Sequence, residues 1–210
     1  MKYKVVFVDW DGTLSNSRFW GRWEGTPRYE QIQQALFRGG HDLLKDWMRG
    51  VIVYEAILQY VESKTGIPYE ELEDELRYSS ENMRYIDPSV IDHIQKLRAT
   101  GTKVVIATDN MDTFQRWTVP VLRLDALFDD ILTSDTRRAL KGDLYSDGAS
   151  AFFSPYFSQS NAKPSETVLI DDNLDKRAVE RIGIGFLHVN ETTTLSHHIA
   201  NILAQKISIN

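Results

Sequence analysis

The feature that most constrains the fold is a short apolar run that ends abruptly in acids. The run spans residues 5–8, has no polar position, and is followed by Asp9, Asp11 and Gly12. Because the side chains of a strand alternate between the two faces of a sheet, a run without polar positions has both faces covered. That pattern is typical of a central strand in a parallel sheet, and α/β sheets bind ligands at the carboxyl ends of their strands.

Four further apolar runs alternate with helical patterns later in the chain. They predict strands at residues 104–108, 131–132, 168–170 and 185–189. Strands that alternate with helices form parallel sheets that helices cover on both faces. The predicted fold class is therefore α/β, with a doubly wound parallel sheet.

Residues 16–86 interrupt this alternation because they carry only helical periodicity, with apolar residues three and four positions apart. After them, Asp87 and Pro88 form a helix-start signal, in which the acid is the N-cap and the proline the first helical residue. The predicted organisation is a core of residues 1–15 and 87–210 with a small helical domain, residues 16–86, inserted into it.

The composition is that of an ordinary globular enzyme. The 210 residues are 42% hydrophobic, and 24 basic residues stand against 30 acidic ones for a formal charge of −6. No positive field favours nucleic acid, and no apolar stretch of about 18 residues predicts a membrane span. Without cysteine there are no disulfides, thiolate nucleophiles or cysteine-held zinc sites. A cytoplasmic location is expected, and the oligomeric state stays open.

Asp9 and Asp11 are spaced to act on one ligand. Residues two apart in an extended segment point the same way, and two close carboxylates repel each other unless a cation lies between them. This arrangement suits phosphoryl transfer, in which Asp9 would attack phosphorus and Asp11 would handle protons. The alternative is a polar turn after a strand, since Asp and Gly are common turn residues.

Two other predicted strands end in polar residues. Thr108 ends the second strand and precedes Asp109 and Asn110, so its hydroxyl and the amides of the turn could hold a phosphate oxygen. On its own this signal is weak, because a strand that ends in threonine before a turn is common.

The strand at residues 168–170 ends in Asp171 and Asp172. Mg²⁺ takes oxygen ligands in an octahedral arrangement, so Asp172 with Asp9 and the backbone carbonyl of Asp11 would form a sufficient cage. The alternative is a helix N-cap at Asp172 or Asn173.

A phosphate among several aspartates needs positive charge beyond the metal. Lys141 and Lys163 are the two candidates, because both lie between the second strand and the final acid pair. For either lysine the alternative is a solvent-facing loop charge.

The order of these motifs resembles that of the haloacid dehalogenase-like (HAD) hydrolases, a superfamily of mostly Mg²⁺-dependent phosphatases. The resemblance covers the predicted core and implies that Asp9 is the nucleophile and Asp11 the general acid and base. It favours Lys141 over Lys163 as the phosphate-facing lysine. The metal ligands that it implies are Asp9, Asp11, Asp171 and Asp172, and the substrate-binding residues predicted beside them are Thr108, Asp109, Asn110 and Arg18.

By position, the insertion resembles the C1 cap of this superfamily, a lid over the nucleophile that selects the substrate. Two departures from the family pattern leave roles open. Asp109 stands where asparagine is frequent, and Lys176 stands where a further acid is often found, with Asp175 one position early.

The expected function is hydrolysis of a small phosphorylated metabolite. Dehalogenase relatives usually lack a second acid such as Asp11, because cleavage of a carbon–halogen bond needs no such proton donor. The alternatives are a phosphomutase with the same residues and a catalytically silent module that binds metal or phosphate.

Overall fold

A five-stranded parallel sheet forms the centre of the structure, a computed structural model that describes residues 3–39, 41–174 and 176–207. Its strands lie in the order β3-β2-β1-β4-β5, so β1 is central, as its apolar run predicted. Their bounds are β1 Val5–Val8, β2 Lys103–Thr108, β3 Asp130–Thr133, β4 Thr167–Asp171 and β5 Gly185–His188.

Helices occupy the connections between the strands and the insertion after β1. The insertion contains α1 Pro27–Ile32, α2 His41–Met48, α3 Tyr54–Thr65 and α4 Tyr69–Glu81, and a π-helical turn, Gln33–Arg38, extends α1. The remaining helices are α5 Val90–Ala99, α6 Val119–Leu122, α7 Leu124–Leu127, α8 Ser134–Arg137, α9 Ser154–Gln159, α10 Lys176–Ile182 and α11 Leu195–Ile207.

Both faces of the sheet are covered, because β1 buries alternate side chains in two different cores. Val6 and Val8 pack in a core that also contains residues of α5 and α11. On the other face, the ring of Phe7 lies with its centroid 5.1 Å from that of Phe153 and 5.3 Å from that of Tyr156. The sheet is therefore doubly wound, which confirms the fold class predicted from the sequence.

The helices of the insertion pack on each other around a third core. The chain enters and leaves the insertion at one point, where the backbone N–H of Ile86 donates to the carbonyl of Leu14 over 2.9 Å. Next to it, the N–H of Arg84 donates to the Ser17 hydroxyl. The two connecting segments are thus joined beside the acidic end of β1.

Two carboxylates of the core hold the insertion against the sheet. Asp112 accepts hydrogen bonds from the Trp47 indole N–H over 2.7 Å and from the Tyr54 backbone N–H over 3.1 Å. Asp143 accepts two hydrogen bonds from the Arg49 guanidinium, both of 2.8 Å. A two-pronged guanidinium–carboxylate pair of this kind fixes orientation as well as distance.

Local structure departs from the sequence prediction at two helices. The helix predicted over residues 112–124 is a π-helical turn followed by α6, and it breaks at Arg123, whose φ of 52° is left-handed. The helix predicted to start at Pro88 begins at Val90, although Asp87 does accept a hydrogen bond from the backbone N–H of Ser89.

Within the described residues, no helix combines the length and the apolar character that crossing a membrane requires.

Candidate active site

Three neighbouring strands bring the predicted site residues to one edge of the sheet. Because β1 lies between β2 and β4, with Val8 level with Ile106 and Ile170, the acids that end β1 and β4 lie side by side. They open into a cavity of about 560 Å³. Its floor is formed by Asp9, Asp11, Gly12, Asp109, Lys141, Asp171, Asp172 and Asn173.

A buried ammonium group connects the two acidic strand ends. The Lys141 Nζ lies 2.8 Å from Oδ1 of Asp9 and donates a hydrogen bond of 2.5 Å to Oδ2 of Asp171. The contact with Asp9 is an ion pair without hydrogen-bond geometry. Only 4% of Lys141 is exposed. Lys163, the other candidate, is exposed before β4 and does not line the cavity.

Asp171 uses both of its oxygens within the protein. While Oδ2 accepts from Lys141, Oδ1 accepts hydrogen bonds from the backbone N–H groups of Asn173 (2.9 Å) and Leu174 (2.7 Å). The sequence left open a helix N-cap at Asp172 or Asn173. In the structure, the side chain of Asp171 holds the turn at these residues instead. Residue 175, the other acid whose role was left open, lies outside the described residues.

The carboxylate of Asp172 faces the turn after β1. Its Oδ1 is buried and, within the part of the chain that is described, has no hydrogen-bond partner. Gly12, with a φ of +76°, leaves the space that this carboxylate occupies, because a Cβ on Gly12 would lie 2.1 Å from Oδ2 of Asp172. The glycine after the first acid pair is thus needed both for the turn and for access of Asp172 to the site.

Asp11 lines the cavity and is held from behind by an amide. The side-chain Nδ2 of Asn110 donates to Oδ2 of Asp11 over 3.0 Å, and Oδ1 of Asn110 accepts from the N–H of Met111. The backbone of Asn110 is itself fixed by Ser134, whose hydroxyl exchanges hydrogen bonds with its N–H and C=O. Asn110 therefore orients the second acid of the first motif.

The other predicted phosphate ligands differ in whether they reach the cavity. Asp109 lines the cavity, and its Oδ1 accepts a 2.8 Å hydrogen bond from the backbone N–H of Lys141. Thr108 and Asn110 are fully buried and do not line the cavity, and the hydroxyl of Thr108 has no hydrogen-bond partner within the described structure. Direct contact of either residue with phosphate stays a prediction.

Burial shifts the proton affinities of the floor. It raises the pKa of Asp9 to about 8 against the opposing charge of Lys141. It also raises the pKa of Asp11 to about 7, again opposed by Lys141. For Lys141, burial alone would lower the pKa, but Asp9, Asp171 and Asp109 together raise it above its ordinary value. The lysine is therefore a permanent cation, while the two acids of the first motif hold protons readily.

The floor has the composition of a site for a hard divalent cation. Oxygens of Asp9, Asp171 and Asp172 lie within 4.8 Å of one another. Desolvation and the negative charge of Asp171 raise the pKa of Asp172, as expected for a carboxylate that lacks a compensating cation. Because its buried Oδ1 has no partner in the described structure, the donor set fits an ion such as Mg²⁺.

The walls and roof of the cavity come from the insertion, and sequence reasoning missed most of them. Of these residues only Arg18 was singled out, and it lies at the exposed rim. The helices contribute Tyr29, Gln33 and Phe37 of α1 and its extension, and Leu44 and Met48 of α2, while the segment before them contributes Asn16, Ser17 and Phe19. The first three recur at intervals of four, but such a helical stripe indicates a core face as readily as a cavity face.

A family model for haloacid dehalogenase-like hydrolases matches residues 3–178. The chain belongs to this family. A comparison with curated proteins finds no sequence match.

Solved HAD structures share the fold over nearly the whole chain. A predicted HAD-like family hydrolase from Porphyromonas gingivalis is 20% identical, with a TM-score of 0.70 over 97% of this chain and 98% of its own. A HAD family enzyme from Bacteroides thetaiotaomicron in complex with magnesium and inorganic phosphate is 15% identical (TM-score 0.66, 93% and 98%). An L-2-haloacid dehalogenase from Xanthobacter autotrophicus with covalently bound chloropropionic acid is also 15% identical (TM-score 0.65, 98% and 88%). At these identities the likeness establishes the fold alone, and membership of the family rests on the match to the family model.

The contact between Gly12 and Asp172 yields a prediction about cation binding. Gly12→Ala is expected to weaken Mg²⁺ binding, measured by isothermal titration calorimetry, by at least about tenfold because the new methyl group displaces the Asp172 carboxylate. Gly66→Ala is a matched control, since Gly66 has a similar φ of +71° but an open space around its missing Cβ. Both variants lose stability from backbone strain. Equal Mg²⁺ affinity in the two variants would contradict the assigned role of Asp172.

The raised pKa values predict how stability depends on pH when no metal is bound. Since the folded-state pKa values of Asp9 (about 8) and Asp11 (about 7) exceed the ordinary 3.8, folding favours their protonated forms. This contribution to the free energy of unfolding is complete below about pH 4 and is lost as the pH rises towards 8. In urea denaturation with EDTA, the wild type should therefore lose more stability between pH 5 and pH 8 than a variant with Asp9→Asn and Asp11→Asn. Parallel pH profiles for the two proteins would refute the expected shifts.

Proposed function

We propose that this HAD-family hydrolase is a Mg²⁺-dependent phosphomonoesterase that works through an aspartyl-phosphate on Asp9. The observation that carries the proposal is the composition of one cavity floor. Asp9 and Asp11 face the same space, with the Lys141 ammonium 2.8 Å from Asp9 and a buried oxygen of Asp172 left without a partner in the described structure. A nucleophile, a proton donor and positive charge together are what phosphoryl transfer requires.

The first step forms a bond between a carboxylate oxygen of Asp9 and phosphorus, while the bond from phosphorus to the ester oxygen breaks. Protonated Asp11 gives its proton to the departing alcohol. In the second step Asp11 takes a proton from water as the water oxygen attacks phosphorus, which releases inorganic phosphate and restores Asp9. The pKa of Asp11, raised to about 7 by burial, suits a group that must donate and then accept a proton near neutral pH.

Other residues of the site hold these two acids in place. Lys141 keeps the Asp9 carboxylate oriented and adds a fixed positive charge beside the incoming phosphate. Asn110 holds the Asp11 carboxylate through its 3.0 Å hydrogen bond. Asp109 orients the segment that carries Lys141 by accepting a hydrogen bond from its backbone N–H. Thr108, from the strand next to β1, is proposed to bind a phosphate oxygen.

Asp9, Asp172 and the backbone carbonyl of Asp11 would hold Mg²⁺ directly, and bound Mg²⁺ neutralises charge on the phosphoryl oxygens. Asp171 completes the acidic set predicted from the sequence. Since both of its oxygens already accept hydrogen bonds, we assign it to orienting Lys141 and the turn that follows β4.

The second acid of the first motif favours phosphate over a carbon–halogen bond. A halide leaves without a proton, so a dehalogenase needs no donor beside its nucleophile, whereas an alkoxide leaving group does. Here Asp11 lines the same cavity as Asp9 and is oriented by Asn110. We therefore propose phosphomonoester hydrolysis even though haloacid dehalogenases share the fold.

Residues 16–86 are proposed to act as a C1-type cap over a catalytic domain of residues 1–15 and 87–210. The paired connecting segments at Leu14 and Ile86 and the shared cavity support this division. The cap would exclude bulk water while the bond between Asp9 and phosphorus forms, and it would choose the alcohol. The cytoplasmic location stays a prediction.

Asp9→Asn is expected to lower kcat for para-nitrophenyl phosphate hydrolysis by at least about 1,000-fold, because an amide oxygen is a poor nucleophile. EDTA should abolish the activity and added Mg²⁺ should restore it. Asp125→Asn, the same change at an exposed position of α7, is the control and should retain full activity. Activity that survives Asp9→Asn, or that acts on 2-chloropropionate instead, would overturn the proposal. Conversion of an added sugar phosphate into its positional isomer, without release of inorganic phosphate, would indicate a mutase.

The two candidate lysines provide a second test. Lys141→Gln should lower kcat by about 100-fold to 1,000-fold, since it removes the fixed positive charge next to Asp9. Lys163→Gln should have kinetics like those of the wild type, because Lys163 is exposed and lies outside the cavity. Circular dichroism shows whether each variant is folded, and a loss confined to Lys163→Gln would reverse the assignment.

A further inference from the structure

The roof of the cavity is more apolar than its floor and has a regular construction. Tyr29, Gln33 and Phe37 follow one another at intervals of four along α1 and its π-helical extension, and Leu44 and Met48 have the same spacing on α2. Two helices thus present matched stripes to one space. A π-helical turn within an α-helix is frequently found at a functional site, and here it is the element that carries Gln33 and Phe37.

This roof has little with which to satisfy hydroxyl groups. Among its five residues, the amide of Gln33 and the hydroxyl of Tyr29 are the hydrogen-bonding groups, and Phe37, Leu44 and Met48 offer no strong hydrogen-bonding atom. Phe19, Met111 and Leu174 add apolar surface to the walls, and Ser15, Asn16 and Ser17 add polar surface beside them. The hydroxyl oxygens of Ser15 and Ser17 already accept hydrogen bonds from the backbone N–H groups of Ser17 and Arg84. A sugar placed here would bury several hydroxyls against apolar side chains, which costs free energy for each unpaired group. An alkyl or aromatic ring would instead remove from water both its own apolar surface and that of the cavity.

The volume indicates that the alcohol fills this space. A cavity of about 560 Å³ lies within the range of roughly 300–1,000 Å³ that is usual for small-molecule sites. Inorganic phosphate at the acidic floor would leave the stripes of α1 and α2 uncovered. A leaving group of about the size of one ring is therefore compatible with the volume of the cavity.

One cation, Arg18, lies at the rim of the cavity. Arg18 lines the cavity, is exposed, and within the described residues forms no ion pair. It lines the same cavity as Asp11 on the floor and Tyr29 on the roof. A guanidinium in that position suits a carboxylate on the exposed side of the ligand.

We propose that the substrate is the phosphomonoester of an alkyl or aromatic ring alcohol that carries a carboxylate, with the ring against α1 and α2 and the carboxylate at Arg18. This inference rests on the proposed phosphatase function and narrows its substrate class. Sugar phosphates are disfavoured by the same surface.

The test compares three primary phosphate esters of similar size with Mg²⁺ present. Cyclohexylmethyl phosphate and glucose 6-phosphate both release a ring-bearing primary alcohol but differ in their hydroxyls, and 4-carboxycyclohexylmethyl phosphate adds the carboxylate. We expect kcat/KM for cyclohexylmethyl phosphate to exceed that for glucose 6-phosphate by at least about tenfold. The carboxylate should add about twofold to fivefold, the usual size of an exposed ion pair.

Substitutions test which residue causes the preference for the carboxylate and which causes the preference for the apolar ring. Arg18→Gln should bring the ratio between the carboxylated and plain cyclohexylmethyl esters close to one, while Arg77→Gln, on exposed Arg77 of α4, should leave that ratio unchanged. Leu44→Gln should reduce the preference for cyclohexylmethyl phosphate over glucose 6-phosphate. The quantity compared is the ratio of the kcat/KM values of two substrates on the same protein. A partial loss of folded enzyme therefore does not affect the result.

The outcomes separate this inference from the function on which it rests. Hydrolysis of para-nitrophenyl phosphate that requires Asp9 tests the function alone. If that activity is present but glucose 6-phosphate is the better ester, or Arg18→Gln leaves the carboxylate preference intact, the substrate class is wrong and the phosphatase stands. If that activity is absent, both fail together.

Discussion

The buried ammonium of Lys141 is the interaction on which the rest of the site depends. It lies 2.8 Å from Asp9 and 2.5 Å from Asp171, acids that end two adjacent parallel strands. Without it, the carboxyl ends of β1 and β4 would place like charges together in a poorly solvated space. The loop that carries this lysine is held in turn by Asp109 at the end of β2 and by Arg49 of the insertion, through Asp143. One cation therefore links three strand ends and the insertion.

The two acids of the first motif are distinguished by what holds them rather than by their residue type. Burial raises the pKa of both, but Asp9 lies beside the fixed cation of Lys141, whereas Asp11 is held by the neutral amide of Asn110. The first arrangement suits the proposed nucleophile and the second suits the proposed proton donor. A protein can thus give neighbouring carboxylates different tasks by its choice of partners. Asp172 represents a third case, since Gly12 makes room for it and its Oδ1, which has no hydrogen-bond partner among the described residues, is available to a cation.

Sequence patterns predicted the sheet and the acidic side chains along one of its edges because both follow from local rules. Apolar runs that end in acids are readable without tertiary information, and all five predicted strands are present within one or two residues of their expected bounds. What could not be read depends on distant partners. One example is the different hydrogen bonding of Asp171 and Asp172, and another is the hydrogen bond from the Lys141 backbone N–H to Asp109. A third is the cavity-facing stripe from Tyr29 to Phe37, because its spacing equals that of an ordinary core face. The break of the helix at Arg123 was not predicted either, because the left-handed conformation of this arginine has no signal in the local sequence.

The single crossing point of the insertion has an evolutionary consequence. Because the segment enters beside Leu14 and returns beside Ile86, joined by one backbone hydrogen bond, its replacement leaves every strand pairing of the sheet untouched. A roof of different chemistry can therefore be grafted onto an unchanged reaction centre, and new specificities can arise by exchange of a module. Besides ends that match, a replacement segment needs N–H donors for Asp112 and a guanidinium for Asp143.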